Sequence, residues 1–151
     1  MPEQPAPTFR RAGSHVPIIP SRFLTVRYVG AKHPGRATGL KDGANCQHFA
    51  YEWLRHFGFG LPPFRSSHLW EDRRYTRRVT DMRPLDLLMF GPTHRSWGAH
   101  VAVYIGNGRI LHLCEEIGRP VVWASAQFKK RPHYRILIGI KRSKRRNRNP
   151  K

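Results

Sequence analysis

The chain has 151 residues and a formal net charge of +19, with 28 Lys and Arg against 9 Asp and Glu. This length is typical of one compact domain that buries about 68–70% of its unfolded surface, and two cysteines are too few for a disulfide framework. No apolar run approaches the roughly 18 residues of a membrane-spanning helix, so none is expected.

The proline-rich first twenty residues lack the apolar stretch of a Sec signal peptide. We therefore expect residues 1–20 to be a flexible lead-in. The protein is then cytoplasmic as encoded, or reaches the cell envelope by another route.

The positive charge lies both in the body and at the end of the chain. Residues 141–151 carry seven cations; without them, twenty-one cations face nine acidic residues, a net charge of +12. Such a field attracts anionic polymers, whether nucleic acid or acidic envelope material, and anionic lipid heads, without choosing among them. We predict a basic disordered tail over 141–151; a solvated tail that only aids solubility fits equally well.

One helix is predicted immediately after a Gly-rich, basic and irregular segment, 21–45. Asn45 is a good N-cap and Gly58 a good C-terminal stop. The apolar residues between them recur with helical spacing on one stripe: Cys46, Phe49, Ala50, Trp53, Leu54 and Phe57.

The second half of the domain is predicted to be a sheet. Residues 60–83 indicate a loop with one short helix. Strand-like runs follow at 85–90, 100–105, 109–113, 121–123 and 134–140. One helix followed by an antiparallel meander is an α+β arrangement, and we assign it to a single domain over residues 21–140.

Cys46 is predicted in the first turn of the helix, where unpaired N–H groups and the positive end of the macrodipole stabilise a thiolate. Such thiols have lowered pKa values and act as nucleophiles. Cys46 also lies on the apolar stripe, where a cysteine is commonly a small buried hydrophobe. Position alone leaves both interpretations open.

The hairpin around Gly106-Asn107-Gly108 offers a base. With a two-residue turn, His112 lies opposite Val103 and faces away from His100. With a three-residue loop, Ala102 faces His112, and the two histidines become diagonal neighbours on one sheet face. We predict the register of the three-residue loop. In this register both imidazoles face the helix that begins with Cys46.

Three segments resemble the NlpC-type family of papain-like cysteine peptidases, which cut peptide bonds in bacterial cell-wall stem peptides. They are NCQHF at 45–49, RPLDLLMF at 83–90 and HVAVYIGNGRILH at 100–112. The resemblance covers roughly residues 22–140 and implies a papain-like fold with the nucleophile-bearing helix packed on the sheet.

The resemblance implies that Cys46 is the nucleophile, His100 the base and His112 the third member that orients the base. A peptide bond is then cut through a thioester, with backbone N–H groups at the helix start meeting the oxyanion. Candidate substrate contacts are the residues beside Cys46, one upstream tyrosine and one aromatic of the cleft wall: Asn45, Gln47, His48, Tyr28 and Trp97.

Several residues depart from the family pattern. Asn45 replaces an aspartate, Gln47 and His48 replace a Ser-Gly pair, and Leu85 replaces a glycine of the strand. Tyr28 is farther from Cys46 than the family's tyrosine by several residues. The bulkier neighbours of Cys46 imply a different or narrower cleft, so the catalytic mechanism carries over more firmly than the cell-wall substrate.

Other functions remain open at this level. Cys46, His100, His112 and Cys114 could form a tetrahedral zinc site, although no known ligand spacing supports it and we expect neither metal nor cofactor. Aromatics among arginines would suit a non-enzymatic nucleic-acid binder, and a related papain-like amidase or acyltransferase would act on another substrate. Cys114 is interpreted as a buried strand residue and Asp86 as a turn cap.

Overall fold

The computed structural model describes residues 18–144. The helices are α1 (Ser21–Leu24), α2 (Cys46–His56), α3 (Ser66–Glu71) and α4 (Ser125–Lys129), with a 3-10 turn at Pro132–Tyr134. The strands are β1 (Thr76–Val79), β2 (Leu87–Gly91), β3 (His100–Gly106), β4 (Arg109–Leu113), β5 (Pro120–Trp123) and β6 (Ile136–Ser143). The predicted α+β fold is confirmed.

The strands form one six-stranded antiparallel sheet in the order β1-β6-β2-β3-β4-β5. The predicted meander holds for β2 to β5. β6 then crosses back and inserts between β1 and β2, because its pairing with β2 buries Ile140 against Leu88.

The helix α2 forms as predicted. The Oδ1 atom of Asn45 accepts a hydrogen bond from the backbone N–H of His48 at 2.8 Å, which satisfies one of the donors left unpaired at a helix start. At the other end, Gly58 has a φ of +92°, a conformation that glycine adopts without strain. The Asn45 cap and the Gly58 stop are both confirmed.

The sheet separates two apolar layers. The stripe of α2 packs on one face against β2, β3 and β4, with Trp53 and Phe49 fully buried beside Val101 and Val103. On the opposite face, α4 contributes Phe128 to a second cluster. α2 contacts β3 and β4 directly, so its first turn lies beside the strands that carry the two histidines.

The β3–β4 hairpin has the predicted strand register, but a bulge rather than a longer loop produces it. Its turn has two residues, Asn107 and Gly108, both with positive φ, the pattern of a type I′ turn. A bulge between Tyr104 and Gly106 then shifts the pairing by one residue, so that Val103 opposes Leu111. Ala102 consequently faces His112. The predicted three-residue loop is wrong, but the predicted side-chain alignment is confirmed.

Several element bounds differ from the prediction for identifiable reasons. Residues 23–26, expected to belong to an extended or irregular segment, include the end of α1, because the buried Phe23 packs against Phe49 and Trp53. β1 lies where the sequence predicts a loop, because its two arginines hide the strand pattern. β2 begins two residues late, since Leu85 has a φ of +80° within a turn.

The last strand extends beyond residue 140. β6 runs to Ser143, and Lys141 is fully buried because its ammonium group donates to the backbone oxygens of Trp70 and Asp72. Residues 141–143, predicted as tail, are therefore part of the sheet. Lys144, also predicted as tail, follows the strand, and its backbone N–H donates to the carbonyl oxygen of Tyr75. The rest of the predicted tail, 145–151, and most of the predicted lead-in, 1–17, lie outside the described residues.

Asp86 holds a turn, as predicted, and also forms a buried ion pair. Its carboxylate accepts from the N–H of Arg83 at 2.8 Å and from two nitrogens of Arg142, both at 2.8 Å. The side chain of Asp86 is 2% exposed and that of Arg142 is 14% exposed. Replacing Asp86 with alanine leaves this largely buried guanidinium without its buried carboxylate and with only the exposed Asp81 beside it, so we expect the free energy of unfolding to fall by about 3 kcal/mol in urea titrations.

Asp81 provides the matched control for this measurement. It also contacts Arg142, at 3.4 Å, but its side chain is 59% exposed. Asp81→Ala should therefore cost less than about 1 kcal/mol. Equal losses in the two variants would contradict the structural role assigned to Asp86.

Candidate active site

The structure brings His100 and His112 into direct contact. The Nε2 atom of His100 lies 2.9 Å from the Nδ1 atom of His112, and the two rings meet at 81°. His100 begins β3 and His112 lies within β4, so the bulge that shifts the hairpin register also aligns this pair. The hydrogen bond leaves the Nδ1 atom of His100 as the nitrogen of that ring not committed to His112.

The imidazoles are enclosed by aromatic side chains. The ring of His112 lies 4.3 Å from that of Trp123 and 4.6 Å from that of Phe128, centroid to centroid. The ring of Tyr134 lies 4.6 Å from that of His100 at an angle of 32°. Burial in these surroundings disfavours the charged imidazolium and lowers the pKa of His100 to about 3 and that of His112 to about 2. Both rings are therefore neutral at pH 7.

The surroundings of His112 favour one tautomer. Its Nε2 atom is buried and has no hydrogen-bond partner among residues 18–144. A bare lone pair there would face no donor, whereas an N–H group can rest against an aromatic ring such as Trp123. With hydrogen on Nε2, the Nδ1 atom of His112 accepts from the Nε2–H of His100. The Nδ1 atom of His100 is then a free base.

Cys46 is the first residue of α2 and is half-buried. In the first turn, the N–H of His48 is used by the Asn45 cap and that of Phe49 by the Asn45 carbonyl. The N–H groups of Cys46 and Gln47 remain, and both point at the Cys46 sulfur. The backbone N–H of Val101, next to His100, points at the same sulfur, so the thiol lies against the start of β3.

Of the two interpretations left open for Cys46, the structure favours the protonated, covered thiol. Burial raises the pKa of the thiol to about 11, and the three backbone donors, which lower it, offset this only in part. The lowered pKa that a helix start can give to a thiol is therefore not found for Cys46 in this structure. The helix start supplies the predicted donors, but the sulfur is covered more than the sequence indicates.

The predicted sheet face also needs a correction. His100 and His112 share one face of the sheet, as expected. This face packs against the apolar layer that contains Ala102 and Phe128, on the side of α4. The apolar stripe of α2 covers the opposite face. The first residue of α2, Cys46, lies next to the start of β3, where the backbone of Val101 is hydrogen-bonded to its thiol.

A comparison with protein-family models matches residues 28–131 to the NlpC/P60 family. The chain belongs to the NlpC/P60 family. Its members are generally cell-wall peptidases of the cysteine hydrolase class. The matched range contains Cys46, His100 and His112.

Among solved structures, the NlpC/P60 chain is similar to an NlpC/P60 family protein from Bacillus cereus ATCC 10987, with a TM-score of 0.56 and 20% identity. The alignment covers 80% of this chain and 36% of that one, so this chain spans about a third of that protein's length. At this identity the likeness shows the fold, a papain-like one. No curated protein matches.

Tyr28 and Trp97 lie in different surroundings. Tyr28 forms a bridge with Ala44, two residues before Cys46, and its pKa is raised by burial first and by the neighbouring Cys46 second. The long separation in sequence is thus closed by strand-like pairing. Trp97 is 76% exposed in the loop that leads into His100, so its indole is available to solvent or a ligand.

The three neighbours of Cys46 are all buried. Asn45 caps the helix, while the Nε2 atom of His48 lies 2.6 Å from the carbonyl oxygen of Gly39 and ties that loop to α2. His48 also lines a cavity of about 460 Å³ formed with the loop at 34–39. The Oε1 atom of Gln47 is buried without a hydrogen-bond partner in the described part of the chain.

The Asn45 cap gives a stability prediction. Asn45→Ala removes the acceptor for the His48 N–H, so the free energy of unfolding should fall by about 1 kcal/mol in denaturant titrations. Asn45→Ser restores an acceptor and should recover most of this loss. A serine variant as unstable as the alanine variant would show that the cap contributes little.

Sequence reasoning missed Tyr134 as a member of this site. Tyr134 belongs to the 3-10 turn after α4, and its side chain is hydrogen-bonded to that of Cys114. Cys114 is 1% exposed, in agreement with its interpretation as a buried residue. The sequence predicts that Tyr134 begins the strand 134–140, whereas the structure has a 3-10 turn there and β6 begins at Ile136. No local pattern indicates that the Tyr134 ring lies 4.6 Å from that of His100.

The zinc alternative finds no support in the geometry. Across residues 18–144, no three His, Cys, Asp or Glu side chains are grouped so that they could hold a metal ion. Over the same range, every helix is too short or too polar to cross a bilayer.

Proposed function

We propose that this protein is a cysteine hydrolase that cleaves amide bonds in bacterial cell-wall peptides through a thioester intermediate. In this proposal Cys46 is the nucleophile, His100 the general base and His112 the orienting group. The observation that supports it is the 2.9 Å contact between His100 and His112, which engages the Nε2 atom of His100 and leaves its Nδ1 atom for another partner. The next residue along the strand, Val101, has a backbone hydrogen bond to the Cys46 thiol.

The first step joins sulfur to the substrate carbonyl carbon. The Nδ1 atom of His100 removes the thiol proton while the sulfur attacks, and the carbonyl electron pair moves onto oxygen. The imidazolium that forms is stabilised because its Nε2–H donates to the Nδ1 atom of His112. A neutral His112 suits this role, since a second positive charge would oppose protonation of His100.

The oxyanion is stabilised at the start of α2. The N–H groups of Cys46 and Gln47 are the two first-turn donors not used by the cap, and they already point toward the reacting sulfur. The tetrahedral intermediate then expels the amine, which takes its proton from His100. Water attacks the resulting thioester with His100 again as base, and the acid product and free thiol are released.

The substrate contacts remain part of the proposal. Tyr28, held beside Cys46, would form one wall, and the exposed Trp97 would cover a bound peptide from the loop before β3. Gln47 has a buried amide whose oxygen lacks a partner, so a substrate N–H group could satisfy it. Asn45 and His48 are held by the cap and by Gly39, and would act by shaping the cleft.

Product analysis tests this function directly. The full chain is incubated with purified peptidoglycan fragments, and the products are identified by mass spectrometry. We expect cleavage of a stem-peptide amide bond with the mass of one water added, and no cleavage by Cys46→Ala. Cys114→Ala, which removes the other thiol, should retain activity. Intact fragments after incubation with the folded wild-type protein would contradict the proposed substrate.

A further inference from the structure

The ring of Tyr134 lies over the imidazole of His100. The two ring centroids are 4.6 Å apart and the ring planes are tilted by 32°. The rings of His112 and Phe128 are farther from that of His100, at 5.0 and 6.4 Å. Tyr134 lies beyond residues 28–131, the range that matches the family. The contact is therefore a feature of this chain's own geometry.

Tyr134 is held at both ends. Its backbone N–H donates to the carbonyl oxygen of Arg131 at 3.0 Å, which closes the 3-10 turn. Its side chain is hydrogen-bonded to that of Cys114, a residue that is 1% exposed. A ring anchored through both its backbone and its hydroxyl has little freedom to move away from the imidazole that it covers.

The direction of the Nδ1 atom of His100 depends on the plane of its ring. Rotation about the bond that joins a histidine ring to Cβ is only weakly restricted by the side chain itself. The 2.9 Å contact with His112 restrains the Nε2 side of the ring. Packing of the Tyr134 ring against the imidazole face restricts the rotations that this contact still allows. The two contacts together fix where Nδ1 points.

A positive charge on His100 gains little from the other groups around it. His100 is 8% exposed, so water hydrates an imidazolium there only in part. Its hydrogen-bond partner, His112, is a neutral ring and carries no negative charge, unlike a carboxylate in the same place. Burial, and after it the positive charges of His100 and Arg131, lower the pKa of His112. The face of an aromatic ring attracts a cation within about 6 Å, most strongly where water is excluded.

We propose that Tyr134 is a positioning residue for His100: its ring holds the plane of the imidazole and stabilises the imidazolium that forms as the thiol proton is taken up. The inference rests on the proposed function, in which His100 is the general base. Tyr134 acts through His100 and needs no contact with the substrate. The aromatic face produces the effect, and the hydrogen bond to Cys114 only anchors the ring.

Substitutions at position 134 separate the ring from its hydroxyl. Tyr134→Leu removes the aromatic face and is expected to lower kcat for the cleaved stem peptide about 10- to 30-fold, with KM within about twofold of wild type. Tyr134→Phe keeps the face and loses only the anchor, so its kcat should stay within about threefold of wild type.

Tyr104 provides the matched control. Like Tyr134, it is a half-buried tyrosine that packs against the apolar cluster containing Phe128, and its hydroxyl has a partner, the N–H of Gly108 at 2.8 Å. It lies four residues after His100 on β3, about 13 Å along the strand. Tyr104→Leu should therefore leave kcat within about twofold of wild type.

A graded series tests the ring without removing it. Phenylalanines with increasing fluorination at position 134 keep the shape of the ring and weaken the negative charge of its face, so kcat should fall stepwise. An unchanged kcat across the series would overturn the inference, because the ring would then only fill space. The same conclusion follows if folded Tyr134→Leu keeps the wild-type kcat, if Tyr134→Phe is as impaired as Tyr134→Leu, or if the loss lies in KM alone.

A measurement without substrate separates this inference from the proposed enzyme activity. In protein with isotopically labelled histidine, nitrogen NMR should show one tautomer of His100 in wild type and in Tyr134→Phe, with hydrogen on Nε2. Tyr134→Leu should show a mixture, because the released ring can turn away from His112. A single unchanged tautomer in Tyr134→Leu would overturn the inference even if peptides are cleaved. The expected mixture in a protein whose wild type cleaves no stem peptide would contradict the proposed function alone.

Discussion

Replacing His100 with alanine is expected to lower kcat/KM for a cleaved stem peptide by roughly 10⁴- to 10⁶-fold. The reason is that the Cys46 thiol has a pKa near 11 and is almost entirely protonated at pH 7. In the proposed mechanism the Nδ1 atom of His100 takes the thiol proton as the sulfur attacks, and the variant lacks this base. The measurement is steady-state hydrolysis of the fragment identified by product analysis, with the fold checked by circular dichroism.

His112 gives a graded form of the same experiment. His112→Ala removes the acceptor for the Nε2–H of His100 and should cost roughly 10² to 10⁴-fold, whereas His112→Asn keeps an acceptor oxygen and should recover part of this loss. His133 is exposed in the neighbouring turn, so His133→Ala should stay within about twofold of wild type. Full activity in folded His100→Ala would remove this residue from the mechanism.

The parts of the fold that the sequence predicted well are those in which local pattern and tertiary packing agree. The α2 stripe, its Asn45 cap and its Gly58 stop each specify the same helix. The hairpin is a subtler case. Its glycines predicted a turn at the right place. The histidines share a sheet face only if Ala102 is opposite His112, and a bulge at residues 104–106 rather than a longer loop produces that register.

The missed elements depend on contacts between distant segments. β1 consists of Thr76-Arg77-Arg78-Val79 and becomes a strand only because β6 returns to pair with it. α4 is a helix of only five residues. Its importance comes from Phe128, whose ring stacks on that of Phe90 at 4.1 Å between centroids and encloses the histidines. No periodicity over five residues can indicate either arrangement.

The candidate site shows the same division. Sequence spacing and the family resemblance named Cys46, His100 and His112, and the structure shows the two imidazoles in contact. The protonation states of these three residues could not be predicted from the sequence, because they depend on burial. The helix start supplies donors that lower the pKa of a thiol, but the cover over the sulfur outweighs them, and only the assembled layers reveal that cover.

Alkylation of Cys46 is expected to depend steeply on pH. The thiolate is the reactive form, and with a pKa of about 11 its fraction rises about tenfold for each pH unit below that value. The iodoacetamide rate should therefore increase roughly a thousandfold between pH 7 and pH 10. Cys114→Ala is the background of choice, since it leaves Cys46 as the single thiol of the chain.

In the alternative resting state, the Cys46 thiolate pairs with the His100 imidazolium. This state predicts a different pH dependence of the labelling rate. Such a pair would give fast labelling that is nearly constant from pH 5 to pH 8 and that collapses in His100→Ala. If the resting Cys46 thiol and His100 imidazole are both neutral, His100→Ala should leave the pH dependence of labelling almost unchanged while hydrolysis is lost. When the proton moves during attack, thiolate and imidazolium appear side by side, and their attraction offsets part of the burial cost. The aromatic enclosure of His100 and His112 thus predicts an enzyme whose nucleophile is activated only when substrate is bound, and a labelling plateau at neutral pH would disprove it.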